Sequence, residues 1–285
     1  MTEKAQMKIA FIGLGRMGGP IAGHLAAAGH NVTVVEPNLD TLSRWCQNHE
    51  GTSAPSAGAA ASDAEVVITS LPADAQLQAV AEGILDHLPS GGVWVDHTTA
   101  SVQISRTLAR DANTRDLGFI DAPVSGGVDG ATHGTLAIMA GGTTSDIDRV
   151  RPLLECYAKR ISHMGDAGTG QLTKMTNQIC VVGIGQALAE GLDFAETAGL
   201  DLEKVVGVML SGASASWQMD NRWQAMANSD YEFGFATELM RKDIGLCLAE
   251  ARRSGVGLPV TALVDQFLSD VEALGGKRWD WCSLM

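Results

Sequence analysis

Short apolar runs that end in glycine or in a polar turn recur along the first part of the chain, with longer mixed segments between the early ones. Apolar runs of this length predict buried strands, whereas apolar positions three and four residues apart predict helices. The predicted strands are Met7–Ile12, Asn31–Glu36, Glu65–Ser70, Gly92–Asp96, Phe119–Ala122 and Leu136–Ala140. The first helices between them are predicted at Pro20–Ala28, Leu39–Glu50 and Ala75–Leu88. This alternation predicts a doubly wound parallel sheet.

The pattern changes after about Gly165, where strand-like runs no longer occur. Gly170–Thr197 is predicted to be one long helix, and its mostly apolar circumference predicts burial on several sides. Further helices are predicted at Asp201–Leu210, Thr237–Arg253 and Val260–Leu274, with an irregular segment at Ser211–Gly234. We therefore predict an α/β domain at residues 1–165 and an all-α domain at residues 166–285, joined by the long helix. A cleft between such domains is the default expectation for a substrate site.

Charge and cysteine content narrow the functional classes. The net charge of -13 argues against nucleic-acid binding, which needs clustered Lys and Arg. Residues 1–6 are charged and lead into an apolar run too short for a signal peptide or a membrane span, which predicts a cytoplasmic protein. The cysteines lie too far apart for a metal site, so we expect no metal and reduced, mostly buried thiols. They are Cys46, Cys156, Cys180, Cys247 and Cys282.

A glycine-rich turn follows the first predicted strand and opens the first predicted helix. Its sequence is Gly13-Leu14-Gly15-Arg16-Met17-Gly18. The first glycine permits a tight turn, the second lets the backbone approach a pyrophosphate, and the third lets helix and strand pack closely. Amides at the helix start carry partial positive charge and can hold phosphates. Within a βαβ unit this motif predicts a Rossmann-type dinucleotide site, and the alternative is a glycine-rich turn without a ligand.

Glu36 ends the second predicted strand, where an acidic side chain accepts hydrogen bonds from the adenosine ribose hydroxyls. Its neighbours Pro37 and Asn38 are not basic, so a 2′-phosphate would meet a like charge and no cation. We therefore expect NAD rather than NADP as the cofactor. The alternative interpretation of Glu36 is a solvated carboxylate at a strand end.

Four motifs occur in a fixed order along most of the chain. They are FIGLGRMG, the segment DAPVSGG at residues 121–127, the segment GTGQLTKMTNQ at residues 168–178, and the pair Lys242-Asp243. In this order they resemble the β-hydroxyacid dehydrogenase family, in the branch of 3-hydroxyisobutyrate dehydrogenase and tartronate semialdehyde reductase.

The resemblance implies NAD(P)-dependent oxidation of a small 3-hydroxy acid to its semialdehyde or ketone, or the reverse reduction, without a metal. It implies that Lys174 is the catalytic lysine, with Asn177 beside it. It also implies that the substrate carboxylate is held by Ser125-Gly126-Gly127, that Lys242 lies near the nicotinamide, and that Leu71-Pro72 and Thr99 add cofactor contacts.

The chemistry of these residues is compatible with the implied roles. Lys174 can act as a base if burial and neighbouring cations lower its pKa from about 10.4 toward neutrality. Asn177 lies three residues on, on the same helical face, and can bond the substrate hydroxyl. The alternatives are a snorkelling lysine, a plain Ser-Gly-Gly turn, and a surface ion pair of Lys242 with Glu238.

Other residues and functions remain open from the sequence. Substrate selection is assigned to side chains in or beside the irregular segment, with packing as the alternative: Trp217, Arg222, Trp223 and Phe235. His97 borders a predicted cofactor contact but is better explained as a structural residue. The alternative functions are an imine reductase-like enzyme, disfavoured by Lys174, and a non-catalytic dinucleotide-binding module. The apolar long helix predicts a homodimer or homotetramer.

Overall fold

The computed structural model describes residues 6–285. Residues 1–5, which carry most of the charged segment used in the localisation prediction, lie outside the described residues. The chain divides into two compact units, Met1–Lys174 and Met175–Met285. The boundary between residues 165 and 166 stays a prediction.

One nine-stranded sheet organises the first unit. Its strands are β1 (Lys8–Ile12), β2 (Asn31–Val35), β3 (Thr52–Ser53), β4 (Val66–Thr69), β5 (Val93–Asp96), β6 (Gly118–Asp121), β7 (Val124–Ser125), β8 (Leu136–Gly141) and β9 (Ala158–Gly165). They are ordered β3-β2-β1-β4-β5-β6-β8-β7, and β9 pairs with β8. The strands β1 to β6 pair in parallel, which confirms the predicted doubly wound sheet.

The far edge of the sheet differs from the prediction of a parallel sheet. Strand β8 runs antiparallel to both β6 and β7. The connection between β7 and β8, residues 126–135, is shorter than the roughly dozen residues that a parallel crossover needs. The short strands β3 and β7 and the largely exposed β9 carry no long apolar run, so the pattern did not predict them.

Helices cover both faces of this sheet. They are α1 (Gly18–Ala27), α2 (Leu39–Asn48), α3 (Ala57–Ala61), α4 (Asp74–His87), α5 (Val102–Asn113), α6 (Gly127–Thr132) and α7 (Thr144–Leu154). Strand β1 shows the resulting two-sided core, since Ile9 and Phe11 belong to one apolar cluster and Ala10 and Ile12 to the other. Burial on both faces explains why the parallel strands read as continuous apolar runs.

The second unit is helical, as predicted. The long helix α8 (Thr169–Thr197) contains the boundary between the units, and it is followed by α9 (Leu202–Met209), α10 (Trp217–Ala227), α11 (Thr237–Ser254), α12 (Pro259–Ala273) and a 3-10 turn at Gly276–Arg278. Helix α10 lies inside the segment predicted to be irregular, so that prediction is wrong for residues 217–227. Ser216 caps this helix by accepting the N–H of Met219 at 3.1 Å. The mixed polar and apolar pattern of the segment did not indicate a helix, and tertiary packing stabilises it.

Two burial predictions are wrong within the single chain. Helix α8 buries Leu188 and Leu192, but Ile184 is 42% exposed and Phe194 is 74% exposed. Part of the apolar surface of α8 is therefore not covered by the rest of this chain. Among the cysteines, only Cys247 and Cys282 are buried, whereas the others lie on half-buried or exposed faces. Within residues 6–285, no helix combines the length and the apolarity that crossing a membrane requires.

Candidate active site

The predicted cofactor residues of the first unit follow the carboxyl ends of neighbouring parallel strands. Ile12 of β1 lies opposite Val35 of β2 and Thr69 of β4. Thr69 lies opposite Asp96 of β5, which in turn lies opposite Asp121 of β6. Because these strands end at one edge, the loops that follow them meet there. The structure therefore brings to this edge the residues 13–18, 36–38, 71–72 and 99, while residues 125–127 follow the short strand β7, which pairs with β8.

The glycine turn has the shape that a pyrophosphate requires. Gly13 has φ 96°, and a Cβ there would overlap the carbonyl oxygen of Ser70. A Cβ on Gly18 would overlap the carbonyl oxygen of Gly13, so helix α1 starts in close contact with the turn. Gly15 is exposed, and a Cβ on it would meet no atom within 4 Å. The open backbone at Gly15 fits the close approach of a dinucleotide pyrophosphate.

Glu36 joins the glycine turn to the turn after β2. Its Oε2 accepts the N–H of Leu14 at 2.8 Å, and its Oε1 accepts the N–H of Asn38 at 3.0 Å. Asn38 in turn caps helix α2 by accepting the N–H of Thr41 at 2.9 Å. The solvated strand-end interpretation is therefore wrong, since Glu36 is half-buried and holds two backbone groups. Each carboxylate oxygen retains a further lone pair that can accept from a hydroxyl.

A buried network that the sequence did not reveal positions the loops after β4 and β5. The Oδ1 of Asp96 accepts from the hydroxyl of Thr69 at 2.6 Å and from the N–H of Thr98 at 3.1 Å. The hydroxyl of Thr98 accepts the N–H of Leu71 at 3.1 Å. Burial raises the pKa of Asp96 to about 6. The only sequence signal was an acid at the end of a fully apolar strand.

Asp121 fixes the start of helix α8. Its Oδ1 accepts the N–H of Gly168 at 2.6 Å, and its Oδ2 accepts the N–H of Gln171 at 2.8 Å. These groups belong to the first turn of the helix, where donors lack partners within the helix. Burial raises the pKa of Asp121 to about 7, and the nearby Asp96 acts in the same direction.

Lys174 lies one turn further along α8 and is only 9% exposed. Its Nζ donates to the carbonyl oxygen of Val124 at 2.9 Å. Val124 immediately precedes Ser125-Gly126-Gly127, so the ammonium group and the predicted carboxylate loop lie together. A snorkelling surface lysine does not describe this buried and hydrogen-bonded side chain.

A second network lies wholly within the second unit and links two predicted residues. The amide nitrogen of Asn177 donates to Oε1 of Gln178 at 2.9 Å. The Nε2 of Gln178 donates to Oδ2 of Asp243 at 2.7 Å, and the Nζ of Lys242 lies 3.0 Å from Oδ1 of Asp243. Gln178 and Asp243 were not predicted as site residues, although each lies within a motif that carried the resemblance.

The alternative interpretation of Lys242 as the partner of Glu238 is wrong. Lys242 pairs with Asp243, whereas Glu238 pairs with Arg278 at 2.7 Å. Lys242 is directed to the carboxylate of Asp243, so Glu238 in the preceding turn of α11 pairs with Arg278 instead.

The side chains considered for substrate selection have different environments. Trp217 is 55% exposed, and the guanidinium of Arg222 lies 4.7 Å from its ring centre and 5.0 Å from that of Phe233. The backbone N–H of Phe235 donates to Oδ2 of the buried Asp280 at 2.8 Å, and Nε of Arg222 lies 3.5 Å from Oδ1 of the same carboxylate. Trp223 packs against an apolar cluster of this unit, as the packing alternative expected. Trp217 is thus the most accessible of the four.

His97 is a structural residue. Its Nδ1 lies 2.6 Å from the carbonyl oxygen of Ala122, and its Nε2 lies 2.9 Å from the hydroxyl of Tyr157. Because a carbonyl can only accept, Nδ1 carries the proton and Nε2 accepts from the tyrosine. Burial lowers the pKa of His97 to about 4, so the ring is neutral near pH 7.

Two family models match almost the whole chain. One is described as the NAD binding domain of 6-phosphogluconate dehydrogenase and matches residues 8–165. The other is described as NAD-binding of NADP-dependent 3-hydroxyisobutyrate dehydrogenase and matches residues 168–285. Together with the edge of the sheet, these matches define an NAD(P)-dependent oxidoreductase.

Individual relatives narrow the class. An uncharacterized oxidoreductase of Shewanella frigidimarina is 47% identical over 98% of this chain and 97% of its own. The 3-hydroxyisobutyrate dehydrogenase of Pseudomonas aeruginosa is 36% identical over 92% of this chain and 91% of its own. The chain belongs to the β-hydroxyacid dehydrogenase family.

Solved structures share the fold over the full length. The 3-hydroxyisobutyrate dehydrogenase of Mycobacterium tuberculosis, solved with L-serine, has a TM-score of 0.91 and 31% identity, with 98% of each chain covered. Psf3, solved with NADP+ and 2-OPP, has a TM-score of 0.85 and 25% identity, covering 97% of this chain and 98% of its own.

Two of the three glycines of the turn, Gly15 and Gly18, predict different effects of an added methyl group. Gly18→Ala forces backbone atoms apart, so we expect a loss of roughly 1–3 kcal/mol in the free energy of unfolding. Gly15→Ala meets open space, so its stability should stay within about 0.5 kcal/mol of the wild type, while NAD affinity falls about tenfold or more. Urea unfolding measures the free energy of unfolding, and fluorescence titration with NADH measures the cofactor affinity. Equal losses of stability in the two variants would contradict the assignment of Gly15 to the ligand.

The buried carboxyl group of Asp121 predicts a pH-dependent contribution to stability. Its pKa is raised from 3.8 to about 7, so the folded state binds the proton more tightly than the unfolded state. This contribution is fully present below about pH 4 and is lost as the pH rises through about 7. Asp121→Asn cannot titrate, so the wild-type advantage in unfolding free energy should shrink across this range.

Urea unfolding of both proteins at several pH values checks this expectation. His97 also titrates abnormally, but it is present in both proteins and largely cancels in the difference. Asp96 is present in both proteins too, so the difference reports Asp121 together with its interaction with Asp96. A wild-type advantage that grows from pH 4 to pH 7 would show that Asp121 is stabilised as the anion instead.

Proposed function

We propose that this protein is an NAD-dependent dehydrogenase that interconverts a small 3-hydroxy acid and its semialdehyde or keto form. The observation that carries this proposal is the Nζ of the buried residue Lys174, held 2.9 Å from the carbonyl oxygen of Val124 directly before the Ser125-Gly126-Gly127 loop. The substrates that fit best are 3-hydroxyisobutyrate and tartronate semialdehyde, because the family resemblance points to that branch.

Lys174 is proposed as the general acid and base. When bound, NAD supplies the acceptor or donor of the hydride. In the oxidation direction the neutral amine of Lys174 takes the hydroxyl proton, and in the reduction direction its ammonium form returns that proton. The bond to Val124 keeps the nitrogen at one position. A fixed position favours proton transfer, because a long, flexible side chain would otherwise also occupy other conformations.

Substrate contacts are proposed for five further places. The amides and hydroxyl of Ser125-Gly126-Gly127 can hold a carboxylate, since successive backbone N–H groups form anion sites. Asn177 can bond the reacting oxygen through its amide, and its link to Gln178 limits how that amide can turn. Lys242 adds a cation whose position is set by Asp243, with Trp217 and Phe235 shaping selectivity.

NAD is proposed over NADP. Glu36 places a carboxylate beside the glycine turn, where it can accept from two ribose hydroxyls and would repel a 2′-phosphate. Its neighbours Pro37 and Asn38 supply no cation. We further propose a homodimer or homotetramer, because large apolar side chains such as Phe194 and Val208 lie exposed on the second unit.

Loss of Lys174 should remove catalysis without removing cofactor binding. We expect Lys174→Ala to lower kcat by roughly 10²–10⁴-fold, the usual contribution of a general acid or base. The measurement is steady-state turnover of a panel of short hydroxy acids and semialdehydes, with NADH titration in parallel. Lys159→Ala, at an exposed lysine on β9, is the matched control. Full activity of Lys174→Ala would refute the mechanism, and NADH binding without any turnover would favour a non-catalytic binding module.

Glu36 should set the cofactor preference. We expect the wild-type protein to use NAD at least about tenfold better than NADP, as measured by kcat/KM, and Glu36→Gln to narrow that ratio because the repulsion is removed. Glu50→Gln changes an exposed glutamate of the same unit and should leave the ratio unchanged. A strong wild-type preference for NADP would refute the assigned role of Glu36.

A further inference from the structure

Gln171 in the first turns of α8 is fully buried and bonds to two separate loops. Its Oε1 accepts the N–H of Ala100 at 3.1 Å, and its Nε2 donates to the carbonyl oxygen of Thr98 at 2.7 Å. Its backbone N–H donates to Oδ2 of Asp121 at 2.8 Å. One residue therefore connects the loop after β5, the end of β6 and the helix that carries Lys174.

The loop after β5 has anchors of its own. Asp96 holds the N–H of Thr98, and the hydroxyl of Thr98 holds the N–H of Leu71. Thr99, the proposed cofactor contact, lies between the two residues that Gln171 bonds. The loop therefore has anchors at Thr98 that do not involve Gln171, and Gln171 adds a link from Thr98 and Ala100 to α8.

The helix also has an independent anchor. Asp121 accepts two N–H groups of its first turn, and the Nζ of Lys174 is held by Val124. These bonds fix α8 to the end of β6 but do not reach the loop after β5. The side-chain amide of Gln171 makes that connection.

We propose that Gln171 is a positioning residue that holds Lys174 in register with the Thr98–Ala100 loop, and hence with the nicotinamide. This inference rests on the proposed function. A glutamine is required because a single side chain must accept from Ala100 and donate to Thr98. An ionised glutamate only accepts, methionine offers no effective donor, and asparagine is one methylene shorter.

The test compares Gln171→Met and Gln171→Glu with the wild type. Because both loop and helix keep their own anchors, we expect Gln171→Met to lower kcat about tenfold or more, while the dissociation constant for NADH changes less than about threefold. Thr173→Val is the matched control, since it removes a bond of 2.8 Å that stays within α8, to the carbonyl oxygen of Thr169. Its kcat should stay within about twofold of the wild type.

Gln171→Glu supplies a rescue that is specific to the hydrogen-bonding pattern. A protonated glutamate can donate to Thr98 while accepting from Ala100, as the amide does. The titratable groups around this position are Asp121, which accepts the N–H of residue 171, Asp96, which accepts the N–H of Thr98, and Lys174 one turn along α8; all three are present in the wild type and in both variants. In the reduction direction, the activity of Gln171→Glu relative to the wild type should therefore rise from pH 8 to pH 6. The same ratio for Gln171→Met should stay flat.

A structural role alone predicts a different set of results. If both Gln171 variants melt at lower temperature but keep kcat within about twofold of the wild type, the proposal is overturned. It is also overturned if Gln171→Glu is as impaired as Gln171→Met at every pH from 6 to 8.

A second readout separates this proposal from the proposed function. The rate at which acetic anhydride modifies Lys174 is followed by mass spectrometry, with and without saturating NADH. We expect NADH to change this rate in the wild type and in Thr173→Val but not in Gln171→Met. If wild-type protein turns over none of the panel substrates, the proposed function fails, yet this measurement still decides the coupling. An equal effect of NADH in wild type and Gln171→Met would refute it.

Discussion

The candidate site depends on the buried carboxylate of Asp121, which accepts two N–H groups from the first turn of α8. Burying a carboxylate is unfavourable unless donors compensate, and a helix start provides both unpaired donors and partial positive charge. The raised pKa of Asp121 shows that this compensation is incomplete. A cost of this kind at a helix start is typical of functional sites, where position matters more than stability.

The same cap decides where the reactive nitrogen lies. Lys174 follows Gln171 by three residues, so a fixed first turn fixes both side chains. Val124 follows Asp121 by three residues, at the start of β7, and its carbonyl oxygen accepts from the Nζ of Lys174. One short stretch of chain, residues 121–127, therefore fixes the start of α8, bonds the Nζ of Lys174 and contains the proposed carboxylate loop.

Two glutamines on α8 use the same chemistry in different units. Gln171 bonds backbone groups of a loop, and Gln178 bonds Asn177 and Asp243. A buried amide needs both a donor and an acceptor partner, so each glutamine fixes two groups relative to one helix. Buried polar links of this kind set geometry where apolar packing would allow small displacements.

The sequence by itself determined the two-part fold class, the glycine turn and the family, because hydrophobic period and short motifs are local properties of the chain. It also indicated Lys174, through the resemblance. Only the tertiary structure decided that Asp96, Asp121 and Gln171 hold the loops and the helix, since they bond to partners that are distant in sequence. It likewise decided that residues 217–227 form a helix and that β8 runs antiparallel to β6, because packing and connection length, rather than local pattern, select those arrangements.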